Sequence, residues 1–142
     1  MASKPSLVLK RRLKAAPEKV YEAWTKPEQM TRWWGAPDTT KPAVAETDLR
    51  VGGRFRVQFW AGGQQNSVSG TYREVVPNRK LCFSWAWQST PERESLVTIE
   101  LNPVTEGTML TLTHEQFYDE QARDNHSRGW NMSLDRLEAL LA

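Results

Sequence analysis

One cysteine, Cys82, stands in 142 residues, so neither an internal disulfide nor a cysteine-rich metal cluster can form. No apolar run approaches the roughly 18 residues that a membrane span needs, and residues 1–12 lack the apolar stretch of a signal peptide. Charge of one sign is scarce as well. The 19 basic and 17 acidic residues leave a net +2, too little to build a nucleic-acid footprint. The phosphate loop, dinucleotide fingerprint, nucleophile elbow and zinc-protease helix are all missing. His114 and His126 are the two histidines, and their spacing supplies no third or fourth metal ligand. The expectation is a cytoplasmic protein forming one domain over 1–142, with no metal, no cofactor, no nucleic-acid partner and no membrane span.

Tryptophan, by contrast, is abundant, with seven in the chain. A chain of this length buries about 70% of its unfolded surface, enough for a core without staples. Residues 7–13 alternate with period two, placing Leu7, Leu9 and Leu13 on one face of a strand and most of the basic residues on the other. Pro17 sits where a helix begins; Val20, Tyr21, Ala23 and Trp24 then recur at helical spacing until Pro27, after which a short helix is predicted to about Trp34. Strands are predicted over 43–49, 54–60, 68–76, 80–88, 95–101 and 108–115, with turns at Gly52-Gly53, Gly62-Gly63, Pro77-Asn78 and 102–107. After Phe117 the period changes to helical, with Trp130, Leu134, Leu137 and Leu141 on one face and Asp119 as the cap. This order reads as α+β, a curved antiparallel sheet holding one long terminal helix.

Leu81, Phe83, Trp85 and Trp87 share one face of their strand, and Phe55, Val57 and Phe59 share another. A straight helix cannot fill the concave side of a curved sheet, so a gap lined by aromatics is expected. Gly129 beside Trp130 is read as a close approach of helix to sheet. His114 and Tyr72 have inward registers and are the polar candidates, with Arg11 a third; for each, an ordinary core or ion-pairing role competes with the functional one. Cys82 has the opposite parity to the large aromatics and is read as an ordinary thiol on the outer face.

Several segments together resemble a known family: AAPEKVYEAW at 15–24, WWG at 33–35, DLRVGGRF at 48–55, GTYREVVPNRKL at 70–81, TMLTLTH at 108–114, and Gly129-Trp130 with Leu134 and Leu137. The chain is similar to the heat-shock-protein-90 ATPase activator homologue-like family of the START-like, Bet v-type helix-grip superfamily. That resemblance implies a seven-stranded antiparallel sheet, two short helices after the first strand, and a long C-terminal helix gripped over an apolar cavity. It also implies a stress-response setting with a chaperone as partner. Trp33 and Trp34, beside the loop from Gly35 to Lys41, become candidates for the gate of the cavity.

The leading expectation is a domain that binds a small hydrophobic molecule between sheet and helix. Its predicted contacts are Trp33, Trp34, Phe55, Phe59, Tyr72, Phe83, Trp85, Trp87, His114 and Trp130, with His114 or Tyr72 orienting the polar end. The second reading is a protein-interaction domain, either a chaperone cofactor or a homodimer. The third is a cyclase or hydrolase-like enzyme using the same cavity.

Overall fold

The structure is a computed structural model that describes residues 4–34, 43–61 and 63–142. The loop 35–41 and Gly62, expected at the cavity entrance and in a turn, lie outside those residues. The elements are β1 (Leu7–Leu13), α1 (Pro17–Thr25), α2 (Pro27–Met30), β2 (Val44–Thr47), β3 (Arg54–Ala61), β4 (Gln64–Val76), β5 (Lys80–Trp87), β6 (Ser95–Val104), β7 (Gly107–Glu115) and α3 (Glu120–Leu140).

The seven strands form one antiparallel sheet in the order β1-β7-β6-β5-β4-β3-β2. Strands β2 to β7 follow one another as a meander, and β1 closes onto β7 with Leu7 opposite His114 and Leu13 opposite Thr108. Neighbours in sequence, β1 and β2 therefore occupy opposite edges. The connection through α1 and α2 has to cross the sheet, and this carries three tryptophans over its inner face. Alternation is clearest on β7, where Thr108, Leu110, Leu112 and His114 are buried, and on β6, where Ser95, Val97, Ile99 and Leu101 are buried.

Where the expected bounds differ from the structure, packing supplies the reason. The helix expected from Pro27 to about Trp34 ends at Met30. Beyond Met30 the chain continues in turns, with the amides of Trp33 and Trp34 both donating to the Met30 carbonyl, and both rings are buried. Strand β4 begins at Gln64, earlier than the pattern of apolar residues indicates, because backbone pairing with β3 continues through polar residues as far as Ala61 opposite Gln64. Its register against β5 shifts between Tyr72 and Glu74, a bulge that bends the strand and sharpens the curvature of the sheet. Central β5 is buried on both faces, so Cys82 is covered, with the Thr98 hydroxyl 3.6 Å from its sulfur.

Helix α3 starts as the sequence predicts. The Asp119 carboxylate accepts a hydrogen bond from the Ala122 amide at 2.8 Å, satisfying one of the free donors of the first turn. Its 21 residues span roughly 32 Å. Arg11 of β1 fixes it laterally, donating to Asp135 at 2.6 Å and to the Asn131 side chain at 2.9 Å. Arg11 thus joins strand to helix. No helix among the described residues is long and apolar enough to cross a membrane.

Gly70 marks the tightest approach in the sheet. A Cβ there would lie 1.8 Å from the Ser84 carbonyl oxygen and 2.8 Å from the Phe55 ring. Gly70→Ala is expected to destabilise the fold by about 1–3 kcal/mol, because strand and ring must both move. A urea midpoint equal to that of the wild type would show that β4 and β5 do not meet this closely.

Candidate functional site

Trp24, Trp33, Trp34, Trp85, Trp87 and Trp130 belong to one connected cluster. Trp34 lies 6.1 Å from Trp24, 5.5 Å from Trp33, 5.6 Å from Trp85 and 6.0 Å from Trp130, centroid to centroid, and Trp85 continues to Trp87 at 5.6 Å. Most of these contacts are edge to face, the geometry favoured by the ring quadrupoles. Between this cluster and α3 lies a cavity of about 460 Å³. Buried Trp34, Trp85 and Trp130 form its inner wall, and half-buried Phe59 and Trp87 meet edge to face at 5.9 Å on its outer side. The helix contributes Asn125, Gly129, Met132 and Ser133, spaced i, i+4, i+7 and i+8, which is a single face.

Gly129 does not mark a close approach, contrary to the expectation. A Cβ at this position would meet nothing within 4 Å. Among the described glycines the close approaches belong to Gly53, Gly70 and Gly107, whereas Gly129 is exposed and stands in the lining of the cavity.

The ten expected contacts separate into two groups. Trp34, Phe59, Trp85, Trp87 and Trp130 line the cavity. Trp33, Phe55, Tyr72, Phe83 and His114 pack behind them in the core. Trp33 is fully buried at 4.6 Å from Trp24 and donates its indole N–H to the Ala23 carbonyl at 2.9 Å, which ties the turn after α2 to α1. Tyr72 meets Phe55 at a tilt and Phe83 edge to face, and burial, reinforced by Tyr21 and Asp48, pushes its phenol up from the ordinary tyrosine value. The polar groups at the cavity are instead Asn66, Asn125, His126 and Ser133. His126 was legible in principle: it stands four residues before Trp130 and eight before Leu134, on the inward stripe of α3.

Each histidine accepts a hydrogen bond from an indole. Trp130 donates its N–H to His114 Nδ1 at 3.0 Å, so the His114 proton is on Nε2 and faces the Ser95 hydroxyl at 2.7 Å. The Ser95 hydroxyl in turn donates to the Trp85 carbonyl. This pair resembles a serine–histidine nucleophile but has the opposite tautomer, because the nitrogen facing Ser95 already carries a proton. His126 mirrors the arrangement: its Nδ1 donates to the Ala122 carbonyl at 2.7 Å and its Nε2 accepts from Trp87 at 2.9 Å. The two imidazoles lie 5.1 Å apart. Burial pushes the His114 pKa well below the ordinary histidine value, with the His126 charge adding to the effect, and burial lowers His126 despite its bond to Ala122. No group of three His, Cys, Asp or Glu side chains among the described residues is placed to hold a metal ion.

Three further indole N–H groups, those of Trp24, Trp34 and Trp85, are buried without a hydrogen-bond partner among the described residues. Leaving a buried donor unpaired costs about 1–3 kcal/mol. Two of the three belong to rings that line the cavity.

A curved seven-stranded sheet, two short helices after β1 and a long C-terminal helix over an aromatic cavity define a helix-grip α+β protein. The family model described as Activator of Hsp90 ATPase homolog 1-like protein matches residues 14–142, and the chain belongs to that family. Similar solved structures include protein CV1439 from Chromobacterium violaceum, at 30% identity and TM-score 0.83, with 96% of each chain covered. An AHSA1 protein from Silicibacter pomeroyi has 27% identity and TM-score 0.80 over 96% of this chain and 97% of its own. CalU16 from Micromonospora echinospora has 29% identity and TM-score 0.74 over 96% of this chain and 76% of its own. No curated protein matches the sequence.

The histidines make stability depend on pH in a definite direction. In the unfolded chain each imidazole takes up a proton near pH 6.5, whereas in the fold both stay neutral to lower pH. The unfolded state therefore binds more protons as pH falls below about 6.5, and stability is lost by up to about 1.4 kcal/mol per pH unit for each histidine. Urea midpoints measured from pH 8 to pH 5 are expected to be level above about 7 and to decline below 6.5. A level profile over the whole range would show that the imidazoles are not held neutral.

Proposed function

We propose that the protein is a binding domain for a small apolar molecule, seated between the sheet and α3. The observation that carries this reading is an aromatic cavity of about 460 Å³ with the exposed Gly129 of α3 in its lining. A volume of a few hundred Å³, mostly apolar with a few neutral polar groups, is the usual form of a small-molecule site. Glycine within a helix costs about 1 kcal/mol relative to alanine, and at Gly129 no packing constraint requires it.

The inner wall is less suited to a binding test than it looks. Trp34, Trp85 and Trp130 are each only 5% exposed, so truncating them removes core packing at about 3–5 kcal/mol and confounds folding with binding. Gly129 separates the two. Gly129→Ala is expected to stabilise the fold by about 0.5–1 kcal/mol, while Gly129→Leu fills the cavity. Calorimetric titration with 1-octanol is expected to give saturable binding in the wild type and at least a tenfold loss in Gly129→Leu. Absence of octanol binding in the wild type, or undiminished binding in the folded Leu variant, would overturn the proposal.

A further inference from the structure

A second cavity, of about 350 Å³, adjoins the first. Trp85, Trp87, Asn125 and His126 line both, so these four side chains are the partition between them. Across the partition the surroundings change. Among the described residues the first cavity has no charged side chain in its lining, whereas Thr90, Arg93, Asp119 and Gln121 line the second. Arg93 brings its guanidinium to 3.9 Å from the centre of the Tyr118 ring, and the Asp119 carboxylate accepts from the Ala122 amide. One positive and one negative group offset each other, and the remaining polar groups are neutral donors and acceptors.

We propose that the two cavities are chambers of one site, divided by the Trp87–His126 hydrogen bond, and that the second chamber takes the uncharged polar head of an amphipathic ligand whose apolar body fills the first. The proposal rests on the reading of the first cavity given above and extends it to the ligand's other end. Of the links within the partition, the one that can yield is the hydrogen bond from the Trp87 indole to His126 Nε2, 2.9 Å long and only partly buried. Trp87 is half-buried at the end of β5, whereas His126, in the second turn of α3, packs against Trp85, His114 and Phe117, so Trp87 is the ring that has to move. A head group with its own donors and acceptors compensates both ends of the broken bond. A plain alkyl chain does not, and it stays in the first chamber.

The test compares 1-octanol with 1-monooctanoylglycerol, which adds a glycerol ester to a chain of similar length, with octanoate and octyltrimethylammonium as charged controls. By calorimetry the wild type is expected to bind the glyceride at least tenfold more tightly than octanol and more tightly than either charged probe. Gln121→Trp, a substitution at an exposed residue that lines only the second cavity, is expected to abolish that preference while leaving octanol affinity unchanged. His126→Phe keeps a ring in the partition but removes the acceptor, and is expected to accelerate glyceride association several-fold in stopped-flow measurements. Equal affinities for octanol and the glyceride in the wild type, or a glyceride preference that survives in Gln121→Trp, would overturn the two-chamber site while leaving the first cavity intact. Tighter binding of octanoate or octyltrimethylammonium would overturn the uncharged head. Failure of octanol itself to bind would remove the earlier reading on which the proposal rests.

Discussion

Trp34 touches Trp24 and Trp33 from the crossing segment, Phe55 and Trp85 from the sheet, and Trp130 from α3, so one ring joins all three layers of the molecule. The need to seat it organises much else. Turns after the short second helix carry Trp34 and its neighbour Trp33 into the core. Gly70 lacks a side chain where strand β4, Ser84 and the Phe55 ring crowd together. Because β1 and β2 occupy opposite sheet edges, the crossing segment must traverse the inner face, and the indole cluster is the apolar mass against which it packs.

A core this rich in indole has an excess of hydrogen-bond donors, since each ring carries an N–H and no good acceptor. The two histidines answer part of that excess. Each is neutral, each presents a bare nitrogen to a tryptophan, and each gives its proton to an oxygen on the other side. Their role as acceptors explains why burial is tolerated and why the Ser95–His114 contact is not poised for nucleophilic chemistry. The unpaired N–H groups of Trp24, Trp34 and Trp85 are the remainder of that imbalance.

Family membership and fold leave the ligand open, because one scaffold serves many activities and function belongs to the site. What distinguishes this chain is local: a helix face of Asn125, Gly129, Met132 and Ser133 opposite the rings of Trp85 and Trp87, and a partition of rings with a more polar chamber behind it. The cavity lies toward the first half of α3, whereas Leu134 and Leu137 further along are fully buried. The helix is thus packed directly on the core along its second half, whereas in its first half His126 and Trp130 reach the sheet beside the cavity.

The period-two registers of β6 and β7, the cap at Asp119 and the inward stripe of α3 were legible in the residues, because strand and helix periods are local geometry. So were five cavity residues, Trp34, Phe59, Trp85, Trp87 and Trp130, through their face and size. Parity alone could not separate these from Trp33, Phe55, Tyr72, Phe83 and His114, since a residue that faces inward meets either a cavity or another side chain. Gly129 shows the limit most clearly: a glycine in a helix reads equally as a close approach or as open space, and only the distance to the opposite wall decides. The sequence by itself determined the elements, their buried faces and the family, all carried by spacing along the chain. The tertiary structure alone decided where along the helix the cavity lies, which nitrogen of each histidine carries the proton, and which four side chains divide the space, because those depend on groups far apart in sequence meeting at a few ångströms.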